Sequence, residues 1–167
     1  MTTAIPRALV ADALGVDEEA LPPGDLPVSR LAARFLAYLR AGDDDTPAPV
    51  DHPDAWTFAL MDDLTRDHPA LGLAATCAAL AACETPEDVA LIAAGPLEDL
   101  LKANGAEVIG EIETLAARAP RLGYALTGVW PPEQGAALLW ARVRALTTEV
   151  AALDDGAPVP PPDGLVG

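Results

Sequence analysis

The feature that most constrains the fold is an uncharged, alanine-rich segment in the middle of the chain. Residues 69–83 (PALGLAATCAALAAC) contain no charged side chain. Alanine and leucine favour helix, and a helix that is apolar on every side is buried on every side. The sequence therefore predicts a central apolar helix around which the other elements pack.

The composition favours helices for those other elements as well. Hydrophobic residues make up 51% of the chain but aromatic residues only 4%, so the core consists mainly of Ala, Leu and Val. No segment shows the period-two alternation of a half-buried strand, and 167 residues suggest one domain. We expect an all-α fold of antiparallel helix pairs around the central helix, with HEAT-like stacking as one arrangement open to it.

Apolar periodicity and helix-stop residues give the expected boundaries. Thr85, Pro86 and Asp88 form a helix-start signal, and Asn104-Gly105 is typical of a helix end. We expect helices over residues 6–14, 28–41, 53–67, 69–83, 85–95, 96–104, 106–119 and 132–153, with a short helical or irregular piece over 121–129. The helical domain then spans residues 1–155, and the proline-rich residues 156–167 are expected to form a flexible, disordered tail.

The net charge of −16 disfavours nucleic acid and anionic membranes as ligands. Solubility is the simplest explanation for such a charge, and a basic protein partner is compatible with it. Residues 1–90 hold 16 acids and five bases, whereas residues 91–167 hold ten acids and five bases. The candidate interaction surface therefore lies in the first half and comprises Asp43, Asp44, Asp45, Asp54, Asp63 and Asp67.

Residues for catalysis, metal binding and cofactor binding are scarce. Ser29 is the only serine, and no Gly-x-Ser-x-Gly motif is present. Cys77 and Cys83 are six residues apart on the apolar helix, which favours buried thiols. A helix of about 22 Å separates His52 from His68, too far for one shared ion. We therefore predict no catalytic residue, no metal and no cofactor.

Membrane insertion and secretion are not indicated either. The first 15 residues lack the long apolar core of a signal peptide. The longest uncharged segment is too short to span a bilayer. We expect a cytoplasmic protein.

The three tryptophans have different expected environments. We assign Trp56 and Trp130 to the core, because so few other aromatic residues are available to fill it. Trp140 stands beside an apolar stripe and one turn before Arg144, where a cation–π contact is open to it. It is the candidate exposed aromatic residue for a protein interface.

A set of motifs is spread over residues 55–145: Trp56, residues 92–101 (IAAGPLEDLL), Gly105, Ile112 and Glu113, residues 115–120 (LAARAP) and residues 126–130 (LTGVW). With these motifs, the stretch resembles a bacterial family of small helical domains of unknown function. The chain departs from the family at residues 121–124 (RLGY), where members usually have a phenylalanine. The resemblance implies a fold and a motif but no activity.

Motif residues are interpreted as structural: Gly95, Pro96, Glu98, Asp99, Arg118 and Trp130. Glu98 and Asp99 lie in the first turn of a helix, where the helix dipole favours negative charge. That charge would repel a phosphate at the Gly95-Pro96 junction. An inward-facing Glu98 paired with Arg118 is the alternative.

Two functional hypotheses follow from these residues. The first is a non-enzymatic acidic interaction module, such as an immunity-type or accessory-subunit protein, that binds a basic protein partner. The second is an enzyme or small-molecule binder that uses Glu98, Asp99, Glu111 and Arg118 in a helical cleft. The second hypothesis requires two or more of Glu98, Asp99, Glu111 and Glu113 to converge with Arg118 on one pocket.

Overall fold

Helices dominate the computed structural model, which describes residues 3–42, 45–132 and 134–166. They are α1 (Arg7–Leu14), α2 (Val28–Leu39), α3 (Trp56–Asp67), α4 (Pro69–Ala82), α5 (Pro86–Ile92), α6 (Glu98–Ala116), α7 (Pro120–Leu126) and α8 (Ala137–Thr147). Two short strands, β1 (Ala4–Ile5) and β2 (Leu26–Pro27), pair antiparallel and join the start of α1 to the start of α2. The all-α prediction is confirmed.

The uncharged segment forms the central helix, α4, which contacts α2, α3, α5, α6 and α7. Its residues from Gly72 to Leu80 are buried, except for Ala74. Gly72 allows the backbones of α3 and α4 to approach closely, because a Cβ at that position would lie 2.6 Å from the carbonyl oxygen of Leu64. The HEAT-like stacking stays a prediction.

The junction between α5 and α6 begins as the sequence predicts and then takes an unexpected form. Thr85 and Asp88 make a reciprocal capping box at the start of α5. Helical geometry is interrupted at Gly95 (φ −105°, ψ −109°), as the sequence predicts. The two helices nevertheless stay connected through a widened, π-type turn over Ala93–Leu97.

Within α6, the backbone leaves helical geometry at Asn104 (φ −133°, ψ 20°), so two helical segments meet there at a kink. The predicted break lies at the right place, although Asn104 does not adopt the left-handed conformation of the usual helix cap. The Asn104 side-chain amide donates to the carbonyl oxygens of Thr65 and Arg66 at 2.7 and 2.8 Å, and so caps the last turn of α3. Gly105 makes room for Leu139, whose Cδ2 would lie 2.3 Å from an added Cβ. Both residues serve helix packing.

The C-terminal segment is ordered against the helices, which corrects the prediction of a flexible tail. Helix α8 is shorter than expected and ends at Thr147. Beyond it, the Tyr124 hydroxyl donates to the Ala157 carbonyl at 3.0 Å, and Arg121 Nε donates to the Pro160 carbonyl at 2.7 Å. Leu165 is buried. Residues 157–165, which we call the C-terminal strap, therefore close one side of the core.

Candidate functional site

The predicted acidic surface lies on α3 and on the loop between α2 and α3. Asp63 and Asp67 are exposed on α3, and Asp45 is exposed in the loop. Asp54 is mostly covered and accepts a hydrogen bond from Arg34 Nη1 at 2.9 Å. Asp43 and Asp44 lie outside the described residues. The surface stays a prediction as an interaction site, with Asp54 already engaged by a cation of the same chain.

An aromatic cluster at the edge of this surface is absent from the sequence prediction. The ring of Tyr38 on α2 lies 5.6 Å from His52 and 6.4 Å from Phe58, measured between centroids. Phe58 is 57% exposed although it is a large apolar residue. His52 Nδ1 accepts a hydrogen bond from the Asp54 backbone N–H at 3.1 Å, which connects the cluster to the backbone of Asp54. The available signal was spacing: Tyr38 follows Arg34, and Phe58 follows Asp54, by four residues each.

Most of the protein's cations are already used internally. Within the described part of the chain, six basic side chains form ion pairs, and these are Arg7, Arg34, Arg40, Arg66, Lys102 and Arg142. A seventh, Arg121, is buried and donates to carbonyl oxygens only. With ten bases against 26 acids in the chain, the surface keeps a large excess of carboxylates.

The resemblance motif brings two distant segments together around Glu98. The Trp130 backbone N–H donates to Glu98 Oε2 at 2.8 Å, and Lys102 Nζ pairs with Oε1 of the same carboxylate. Gly128 lies against Ala93, since a Cβ on Gly128 would be 3.3 Å from the Ala93 Cβ. Glu98 therefore joins the π-helical turn to the Leu126–Trp130 segment. The alternative pairing of Glu98 with Arg118 is wrong, because Lys102 and Trp130 take up the carboxylate.

The environments of Trp130 and Trp140 are the reverse of those predicted. Trp130 is 71% exposed and Trp140 is 5% exposed. Trp140 is covered because α8 packs against α6 and α7, and it lines an apolar cleft with Val129 and Val143. Trp56 packs against the core, as expected. The exposed aromatic residue of this half is therefore Trp130.

The carboxylates of the second hypothesis do not converge. Asp99 lines a cleft of about 300 Å³ together with Asp62, Arg66 and Lys102. Burial raises the pKa of Asp99, and the neighbouring Asp62 and Glu98 raise it further. Glu111 is twelve residues further along α6, which is about 18 Å, and Arg118 lies beyond the end of that helix. One cleft cannot combine these groups.

Arg121 and the two cysteines, all buried, have structural roles in the fold. Arg121 Nη1 donates to the carbonyls of Leu80, Ala81 and Cys83 at 2.9 to 3.0 Å, so it caps the C-terminal end of α4. Burial raises the pKa of Cys77 and of Cys83 to about 12. A thiol with that pKa stays protonated at neutral pH and is a poor nucleophile. Both cysteines are buried, as predicted.

The described ranges 3–42, 45–132 and 134–166 contain neither a metal-binding cluster nor a helix suited to crossing a membrane. No group of three or more His, Cys, Asp or Glu residues in those ranges is placed to hold a metal ion. None of the helices in the same ranges combines the length and apolar character that crossing a bilayer requires.

Residues 44–151 match a family described as "Family of unknown function (DUF6869)". No curated protein and no solved structure matches the chain. The matched range contains the Trp56 helix, the π-helical turn and Trp130, and it leaves out α1 and α2.

Proposed function

The chain belongs to DUF6869, a family of unknown function, and from that premise we propose that it is a non-enzymatic acidic module that binds a basic protein partner. An immunity-type protein or an accessory subunit has this character. The partner presents a cationic surface, and neither nucleic acid nor membrane is the ligand. We expect the complex to form in the cytoplasm without metal or cofactor.

The observation that carries the proposal is the internal use of the cations. Among the described residues, six basic side chains in ion pairs and one buried guanidinium account for seven of the chain's ten bases. The carboxylates left over, including exposed Asp63 and Asp67, have few cations of the same chain to balance them. Such a surface attracts a cationic protein over a distance of roughly 8 Å or more at physiological salt.

The aromatic cluster of Tyr38, His52 and Phe58 supplies the second element of an interface. Charged surfaces mainly speed association, whereas aromatic residues supply much of the contact energy. Phe58 is exposed at the edge of the acidic surface. The combination of an acidic surface with an exposed aromatic residue suits a partner that carries basic side chains.

The carboxylate-cleft alternative has less support. Both cations that line the cleft are already paired: Arg66 with Asp62 at 2.8 Å, and Lys102 with Glu98. Glu111 lies too far along α6 to join them, and Arg118 lies beyond the end of that helix. An enzyme or small-molecule binder of that design would need Asp99 to act without those two residues.

The test is capture of the partner from a lysate of the source organism at low ionic strength, followed by affinity measurements with the purified partner. We expect a single basic protein whose affinity falls steeply as salt is added. The double charge reversal Asp63→Lys with Asp67→Lys should abolish binding, because both side chains lie on the acidic surface. Glu149→Lys with Asp155→Lys makes the same change in net charge in the C-terminal part and is the matched control.

Two results would contradict the proposal. One is a protein that stays monomeric and unbound at low ionic strength in its own lysate. The other is a partner that binds the two double variants equally well, since only the overall charge would then matter.

A further inference from the structure

The contact between Arg34 and Asp54 is the starting point for a more specific inference, which rests on the proposed function. Arg34 Nη1 lies 2.9 Å from Asp54 Oδ1, and its side chain is 52% exposed. Arg40, six residues further along the chain, instead donates to both oxygens of the buried Asp88, at 2.9 and 2.7 Å. The Arg34 pair is the more exposed and the less completely bonded of the two.

The aromatic cluster lies immediately beside that pair. Tyr38 is one helical turn after Arg34 on α2, and Phe58 is four residues after Asp54. The Asp54 backbone N–H is bonded to His52, and the His52 ring packs on Tyr38. The exposed Phe58 ring and the Asp54 carboxylate therefore belong to one small patch, built from α2, α3 and the loop before α3.

A planar cation suits this patch better than a spherical one. A guanidinium stacks on an aromatic face and donates to a carboxylate at the same time, whereas an ammonium is a compact and strongly hydrated charge. Exposed ion pairs contribute little to stability, so an incoming arginine can exchange with Arg34 at little cost.

We propose that this patch is an arginine-recognition site, at which an arginine of the basic partner takes the place of Arg34 on Asp54 and stacks on Phe58. Arg34 occupies the carboxylate in the free protein. It thereby lowers the affinity for a partner that does not present arginine.

The experiment compares two variants with the same net charge. Arg34→Gln removes the internal cation from Asp54. Arg30→Gln removes an exposed cation one turn earlier on α2 that forms no ion pair in the described part of the chain. Binding of a fluorescent oligoarginine peptide and of an oligolysine peptide of equal length is measured by anisotropy over a range of salt concentrations.

We expect Arg34→Gln to tighten oligoarginine binding about threefold more than Arg30→Gln does. Phe58→Ala should weaken oligoarginine more than oligolysine, and because Phe58 is exposed this variant should unfold at the same temperature as the wild type.

Equal gains from the two glutamine variants, or equal losses of the two peptides on Phe58→Ala, would overturn the arginine site while leaving the acidic module intact. Failure of the wild-type protein to bind either peptide at low ionic strength would contradict the proposed function itself.

Discussion

Arg121 and Arg34 both connect separate parts of the chain, but in opposite environments. Arg121 is 7% exposed and donates to four backbone carbonyls, three at the end of α4 and one in the C-terminal strap. Arg34 is exposed and contacts one carboxylate. The N–H groups of a buried guanidinium must find hydrogen-bond acceptors within the protein, whereas those of an exposed guanidinium can donate to water. The first arginine is therefore fixed in the architecture, and the second is free to exchange partners.

The test with the largest expected effect replaces Arg121 and Arg34, one at a time, by methionine, an apolar residue of similar length. Arg121→Met leaves the carbonyls of Leu80, Ala81, Cys83 and Pro160 without their donor, and we expect a loss of about 3–5 kcal/mol in the free energy of unfolding. Arg34→Met should cost under about 0.5 kcal/mol. Urea unfolding followed by circular dichroism measures both. Equal losses for the two variants would show that burial does not separate their roles.

The second test extends the contrast to the tryptophans. Trp140→Ala removes a buried ring between α8 and its neighbours and should cost about 3 kcal/mol. Trp130→Ala removes an exposed ring but keeps the backbone N–H of residue 130, which donates to Glu98. We therefore expect a loss of under about 0.5 kcal/mol in the free energy of unfolding. Thermal unfolding of the two variants compares them directly. A larger loss from Trp130→Ala would reverse our assignment of core and surface in the C-terminal half.

The third test concerns an intermediate case, the pair formed by exposed Arg40 and buried Asp88. The hydrogen bonds from Arg40, aided by the backbone N–H groups of Glu84 and Thr85, lower the pKa of Asp88 from 3.8 to about 2. A carboxylate with a lowered pKa in the folded state stabilises the fold above pH 3.8, and this stabilisation is lost as the pH falls towards 2. We expect Asp88→Asn to cost about 1–2 kcal/mol at neutral pH.

That cost should shrink as the pH is lowered through this window, because wild-type Asp88 becomes neutral as well. Urea unfolding at a series of pH values provides the measurement. Glu87→Gln, which removes an exposed carboxylate at the preceding position, is the matched control for a change of charge in the same helical turn. A cost that stays constant down to pH 2 would mean that the capping geometry, and not the charge of Asp88, is what stabilises α5.

Local patterns were enough to predict the framework of the fold. Residues 69–83 identify the central helix because an uncharged helix has no side suited to water. Thr85 and Asp88 mark the start of α5 because capping is decided within four residues. Such features depend only on neighbours in sequence.

Features that depend on distant partners were missed or reversed. Asn104 bonds to residues 38 and 39 positions away, so its role in packing was hidden behind its usual role as a helix end. The Arg121 contacts to α4 and to the strap span 38 to 41 residues. The two tryptophans could not be ranked, because nothing near them in sequence indicates which side α8 packs on.

The sequence was enough to predict that the candidate site is acidic, but not where in the fold its side chains meet. Counting acids and bases identified the first half as the more acidic. The aromatic cluster requires Tyr38 on α2 to meet His52 and Phe58 across a loop of more than ten residues, and single-sequence periodicity contains no information on that meeting. Nothing in the sequence near Asp54 indicates that its carboxylate pairs with Arg34, 20 residues earlier in the chain.

The C-terminal strap has a practical consequence for anyone who divides this protein into pieces. The family match ends at residue 151, and a fragment cut there would lack the acceptors at Ala157 and Pro160. The Arg121 guanidinium and the Tyr124 hydroxyl would then each lose one hydrogen-bond acceptor. The smallest fragment that keeps these contacts is therefore longer than the range that matches the family.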